Sequence, residues 1–190
     1  MPVTIPGIVG ALVPNMAATG QLGSKMPDLA VGIANGLVKW LPSITVITVD
    51  AGSLGVGSGG PMPLIVAQPL LYLNLMAGDA AFGFFGPMSP LLTLGVANGL
   101  VLAFAQALIK TTHPGIGAGS GVATFRAPNS IPLMIEGFAA AGLKGDGPTK
   151  KASAIGTGLD ATFASLVVPI PIVGSASPAG GAGAGFGQII

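Results

Sequence analysis

Residues able to do chemistry are few in this chain, and they lie far apart. His113 is the only histidine, cysteine is absent, and the acids are Asp28, Asp50, Asp79, Glu136, Asp146 and Asp160. A nucleophilic triad needs a base and an orienting group beside the nucleophile, and a metal site needs several ligands at recognisable spacing. His113, within Thr111-Thr112-His113-Pro114, has no such partners and reads as a loop residue. Without cysteine, disulfides, thiolate metal sites and thiol catalysis are closed. Asp79 is the one acid deep in an apolar stretch. It is expected to cap the helix turn near Gly83 or to join an interface ion pair rather than to act as a general acid. Lys150 and Lys151 read as a solvated helix start.

The glycines of Gly55-Val-Gly-Ser-Gly-Gly60 match G-x-G-x-x-G after a plausible strand, the spacing that cradles a dinucleotide pyrophosphate. That motif requires a helix to open at its third glycine. Pro61 and Pro63 follow instead, and similar glycine arrays recur elsewhere in the chain. No catalytic, cofactor-binding or metal-ligating residue is therefore assigned, and the chain is expected to be neither an enzyme nor a cofactor carrier.

The elements around these residues are set by an unusual composition. Charged residues make up 7% of the 190 residues and hydrophobic ones 51%, with 32 glycines and 17 prolines. Soluble domains carry about 25% charge, so a mean hydropathy of +0.81 implies a surface covered by lipid or by other protein. Disorder is excluded, since disordered chains combine low hydrophobicity with high net charge and the formal charge here is +1. That balance also lacks the basic footprint of a nucleic-acid binder. The start, Met1-Pro-Val-Thr-Ile-Pro6, has no basic region and is broken by prolines, so no secretory signal is expected.

Three stretches align without gaps when Gly20, Gly83 and Gly142 are set in register, 63 and 59 residues apart. The columns Ala17/Ala80/Ala139, Ala18/Ala81/Ala140, Gly23/Gly86/Gly145, Gly36/Gly99/Gly158 and Leu37/Leu100/Leu159 are then identical as well. Such periodicity marks a repeated supersecondary unit. Each unit is expected to hold a short first helix (Ile8 to Thr19, Tyr72 to Phe82, Pro132 to Ala141) that ends at the aligning glycine, which suits a left-handed C′ position. A tight turn follows, with Pro27, Pro90 or Pro148 near the start of a second helix. In that helix Ile33/Val96/Ile155, Leu37/Leu100/Leu159 and Leu41/Phe104/Phe163 keep one apolar face. Gly32, Gly36, Gly95, Gly99 and Gly158 share it and would let another helix approach closely.

Extended segments are expected next, at Ile44 to Val49 and at Val167 to Ile172, where Pro169 and Pro171 should confine a strand to a sheet edge. The glycine-alternating runs 55–59, 117–121 and 181–185 read as contact arms between repeats or subunits, each with a bare face able to lie flat on another backbone. The fold expected is one domain over 1–190, mainly α with short extended segments. It comprises three tandem repeats of about 60 residues, a helical hairpin plus glycine-rich arm at about 8–60, 72–121 and 132–186, around a pseudo-threefold. The hairpin portions 12–49, 75–112 and 134–171 are expected to be alike.

Leu91 to Ile109 is a predominantly apolar run of 19 residues, close to bilayer-spanning length. Its aligned partners contain Lys39 and Pro42 in one case and Asp160 in the other. Copies of one element should share one environment, which favours burial in a protein assembly over lipid. The phrases Leu94-Gly-Val-Ala-Asn-Gly-Leu-Val101, Phe104-Ala-Gln-Ala-Leu-Ile-Lys110, His113-Pro-Gly-Ile-Gly-Ala-Gly119 and Gly185-Phe-Gly-Gln-Ile-Ile190 resemble small uncharacterised virion structural proteins of contractile-tailed bacteriophages. The resemblance implies a tail, baseplate or other virion component and transfers no functional residues.

The function expected is thus structural: a virion assembly protein whose partners are other virion proteins and copies of itself, with no nucleic acid or small-molecule substrate. Three similar faces on one chain can meet three partners, and its oligomer can match a sixfold ring. The alternative is a small integral membrane protein, pore-like or holin-like, located in the membrane rather than the virion.

Overall fold

The structure is a computed structural model that describes residues 4–20, 23–53, 56–59, 68–84, 86–106, 108–114, 117–126, 129–165, 169–176 and 181–188. The chain is mainly helical. Its elements follow in the order α1 (Ile5–Ala18), α2 (Met26–Trp40), β1 (Thr45–Ser53), β2 (Val56–Gly59), α3 (Gln68–Ala81), α4 (Ser89–Ala105), β3 (Leu108–Pro114), β4 (Gly117–Arg126), α5 (Ser130–Ala140), α6 (Asp146–Ser165), β5 (Pro169–Ala176) and β6 (Gly181–Gln188). Two helices and then two strands recur three times along the chain.

Local chemistry starts and stops these helices. The Thr4 hydroxyl accepts from the Gly7 amide at 3.4 Å, and the Asn129 side chain accepts from the Ile131 amide at 3.2 Å, so each supplies an N-cap. Pro27 and Pro90 occupy the first turns of α2 and α4, where no amide proton is needed. Pro148 lies in the first turn of α6, which opens at Asp146. The first helices end at Gly20, Gly83 and Gly142, whose φ values of 78°, 72° and 84° fall in the left-handed region that a side chain resists.

Helices α2, α4 and α6 supply the centre of the core, with Ile33, Leu37, Val96, Leu100, Ile155 and Leu159 all buried. Towards their C-terminal ends, Trp40 meets Phe104 edge-on at 5.0 Å between ring centroids, and Phe104 meets Phe163 at 5.4 Å. Such T-shaped pairs set the positive ring edge on the negative face. Around this centre, α1, α3 and α5 each bury a narrower stripe, which in α1 is Ile8, Leu12 and Met16.

The close helix contacts run from one pair to the next. A methyl placed on Gly36 would lie 2.6 Å from the Leu75 Cα, one on Gly99 2.8 Å from the Met134 Cα, and one on Gly158 2.9 Å from the Leu12 Cα. So α2 seats on α3, α4 on α5, and α6 on α1, each through a glycine whose missing side chain leaves room for the neighbour's backbone. Two of these seams have glycine on both sides. Gly78 on α3 lies against Gly32 and Gly36, and Gly137 on α5 lies against Gly95 and Gly99.

All strand pairings are antiparallel, and the six strands close into a barrel in chain order. The glycine-rich runs join this barrel edge to edge, β2 with β3, β4 with β5 and β6 with β1. This differs from the expected flat contact through a bare face, because a strand's amides and carbonyls need partners in the sheet plane. A second correction concerns β5, which has neighbours on both sides rather than one. Pro169 and Pro171 face β4, while pairing with β6 covers only Ile172, Val173 and Gly174. The apolar run from Leu91 to Ile109 is also divided: α4 has 17 residues and ends at Ala105, and Leu108 opens β3.

Gly→Ala changes should therefore have opposite signs at two helix positions. Gly10 of α1 is exposed, with open space around it. Gly10→Ala should stabilise the chain by about 0.4–1 kcal/mol through lower unfolded-state entropy. Gly99→Ala gains the same propensity, but its methyl would sit 2.6 Å from the Met134 sulfur as well as against its backbone. A net loss of about 1–3 kcal/mol is expected from overpacking. Lys39→Ala, at an exposed position, should change stability by less than about 0.5 kcal/mol. Denaturant unfolding of the three variants checks the order.

Candidate functional site

The structure disperses most residues that could carry chemistry. His113 lies within β3, its Cα opposite that of Gly57, which corrects its expected loop position: the strand runs on to Pro114. Of the glycine motif, residues 56–59 form β2, paired between β1 and β3, and Gly55 and Gly60 lie outside the described residues. Asp50 sits on β1 opposite Gly59 and Gly183. Asp28 pairs with Lys25 at 3.2 Å, and Asp160 accepts the Ser130 amide at 2.8 Å. Glu136 and Asp146 are exposed. Among the described residues, no three His, Cys, Asp or Glu side chains gather where they could hold a metal ion.

Asp79 behaves differently from either role expected of it. Its side chain is 2% exposed, and one carboxyl oxygen, Oδ2, lies 2.6 Å from the Thr93 hydroxyl of α4. The other, Oδ1, abuts Gly32 of α2 and has no hydrogen-bond partner. The turn is closed instead by the Asp79 backbone carbonyl, which accepts the Phe84 amide at 2.9 Å and the Phe82 amide at 3.3 Å. With that work done by the main chain, the side chain enters the helix interface. Burial pushes its carboxyl up to about 6, against the opposing pull of the Thr93 hydrogen bond.

At the turn end of the helices, a cleft of about 350 Å³ lies between Gly20, Gly23, Phe84 and Lys151. A second, of about 310 Å³, lies across Lys151 between Met88, Leu143 and Pro148. Lys150 is exposed, as a solvated helix start should be, whereas Lys151 is half-buried. Burial lowers the Lys151 ammonium from its ordinary value. The positions aligned with Lys151 are Leu29 and Leu92, which line the first and second clefts respectively. Lys151 thus lines both clefts, at a position that leucine fills in the other two stretches.

The most distinctive surface feature is apolar. Among the described residues, the large hydrophobic side chains left exposed are Leu70, Leu73, Phe82, Met88 and Leu91, all on α3, its turn and the start of α4. Leu73 is the barest, at 62%. Scattered exposed leucines need no explanation; these five fall on one helical pair. A sequence reading that treats the three stretches as equivalent misses this asymmetry. The signal lies in two alignment columns: Met88 stands where the others have Lys25 and Gly147, and Leu91 where they have Asp28 and Lys150. Apolar residues replace solvated ones at the second pair only.

No protein-family model, curated protein or solved structure matches this chain. Among the described residues, no helix is long and apolar enough to cross a membrane.

The double variant Leu73→Glu, Leu91→Glu should leave the fold intact, at a cost of less than about 0.5 kcal/mol at Leu73, which is 62% exposed, and a larger one at Leu91, which is 38% exposed. Its fluorescence with a hydrophobic dye should fall well below that of the parent chain. Equal dye binding would remove the patch as a sticky surface.

Proposed function

We propose that this chain is a structural assembly protein of a bacteriophage particle, a tail or baseplate component that acts through apolar protein–protein contacts and carries out no catalysis. The observation that carries the proposal is the exposed cluster Leu70, Leu73, Phe82, Met88 and Leu91 on a chain with only 7% charged residues. Soluble monomers rarely leave a contiguous apolar patch of more than a few hundred Å² uncovered. The resemblance of several phrases to virion structural proteins of contractile-tailed phages favours a particle as the setting, with other virion proteins and further copies of the chain as its partners.

The same reading takes the chain as three tandem copies of a helical hairpin plus glycine-rich arm about a pseudo-threefold. Support comes from the seams. Gly36, Gly99 and Gly158 form one alignment column, and the residues they seat against, Leu75, Met134 and Leu12, form another. A cyclic set of like contacts is what a unit repeated around an axis produces. In this reading the second copy has diverged to hold the docking face, so a threefold-like body meets its neighbour in one orientation.

Solution behaviour tests the proposal. Without detergent or partners, the isolated chain should self-associate, sedimenting as oligomers or aggregates, and the Leu73→Glu, Leu91→Glu variant should do so less. In particles, the parent chain should remain attached through gradient purification without detergent. A monodisperse, stable monomer of the parent chain would overturn the assembly reading. Solubility only in micelles, with partition into vesicles, would move the assignment to the membrane-protein alternative.

A further inference from the structure

Asp79 is a buried titratable group that the assembly reading does not use, and its surroundings lack what an ionised carboxylate needs. Oδ1 has no hydrogen-bond partner. Near Oδ2, the Thr93 hydroxyl also lies 2.9 Å from the Ser89 carbonyl, one turn earlier in α4. A hydroxyl has one hydrogen to give and two lone pairs to receive. With two acceptors at hydrogen-bond distance, the Thr93 hydroxyl serves both contacts fully only if the carboxyl carries a proton on Oδ2. Asp79 then donates to Thr93, and Thr93 donates to Ser89. An ionised Asp79 would take the Thr93 hydrogen from the Ser89 carbonyl and still leave Oδ1 bare against Gly32.

The alignment shows that packing alone does not require this pair. The positions aligned with Asp79 are Met16 and Phe138, and those aligned with Thr93 are Ala30 and Ala152, all buried. Two of the three equivalent places are filled by an apolar side chain against alanine. The third holds an acid against a hydroxyl, at the seam where α2 seats on α3.

We propose that Asp79 is carried protonated in the closed fold and makes the joint between α2, α3 and α4 a pH-sensitive latch, which loosens when the carboxyl ionises. Burial raising the carboxyl to about 6 places the transition at mildly acidic pH. Neighbouring charge does little to move it. α4 has no ionisable side chain, α3 has only Tyr72 besides Asp79, and α2 has Lys39 near its far end and Asp28 one turn before Gly32. Asp28 is paired with Lys25, whose ammonium also donates to the Gly83 carbonyl. The sign follows from proton binding: the folded chain holds this proton more tightly than the unfolded chain, whose value is 3.8. Stability is therefore highest at acid pH and is lost as pH rises through the interval up to about 6, with the full penalty present above it.

Infrared spectroscopy on the full-length chain tests the latch, because it reads soluble and assembled material alike. The protonated carboxyl band of Asp79, identified by its loss in Asp79→Asn, should titrate with a midpoint near 6, about two pH units above an ordinary aspartate. Amide-band melting of the parent chain should shift to lower temperature between about pH 4 and pH 6.5, while Asp79→Asn, which cannot ionise, should melt with a flatter profile. Thr93→Val removes the one bond that supports the ionised form, so the carboxyl midpoint should rise further. A midpoint near the ordinary value, or an equal pH slope in parent and Asp79→Asn, would overturn the proposal. Should Asp79→Asn fail to fold, the same band followed in the parent and in Thr93→Val decides the question.

Discussion

The seating of glycine on the central helices against the backbone of the neighbouring outer helices is the constraint on which the rest of this structure depends. Gly36, Gly99 and Gly158 bring Leu75, Met134 and Leu12 closer than any side chain would allow. That approach aligns the central helices, and their alignment lets Trp40, Phe104 and Phe163 meet edge-on at one end. Glycine lowers helix propensity by about 1 kcal/mol each, so these helices depend on tertiary packing more than on their own propensity. Cohesion therefore sits in contacts between successive helical pairs, and the barrel pairings β2–β3, β4–β5 and β6–β1 tie the same neighbours together at their ends.

A chain held this way has little use for charge inside. Polar groups enter the helical core at few places: among the described residues, Asp79 with Thr93, Ser89, Ser130 and Thr162 are its buried polar residues. Four of these carry hydroxyls, and the Thr93 and Thr162 side chains can bond a carbonyl one turn back in their own helix. Asp79 is the exception, since a carboxyl cannot be satisfied by its own helix in this way, and Oδ1 is left bare. The outer surface mirrors this economy of charge. Where Lys25, Asp28 and Lys150 solvate the turns of the first and third pairs, Met88 and Leu91 leave the second pair apolar.

Much of the helical architecture could be read in residue types and spacing. The left-handed turns at Gly20, Gly83 and Gly142, the prolines opening α2 and α4, and the apolar column through Leu37, Leu100 and Leu159 are local signals, because turn geometry and helical period are dictated within a few residues. The glycine face was equally legible, since small residues at helical spacing have few other uses. The strands were less so. Alternating glycine specifies an extended backbone but not its partner, and the edge expected for Pro169 and Pro171 turned on where β6 stops pairing, which no local pattern encodes. His113 went to a strand for the same reason: its flanking threonines and proline suit a loop or a strand end equally.

What the sequence by itself determined was the kind of chain this is: charge-poor, glycine-seamed and mainly helical. Those properties follow from composition and short-range pattern, and need no knowledge of who touches whom. Tertiary structure alone decided that α2 seats on α3 and α6 closes back on α1, that Asp79 faces Thr93 and Gly32 rather than its own turn, and that the uncovered hydrophobic side chains gather on one pair. Each of these depends on elements distant in the chain coming within a few ångströms. Burial and pairing are properties of that meeting, so a carboxyl that looks like a cap in sequence becomes an unsatisfied acid only once the neighbouring helix has arrived.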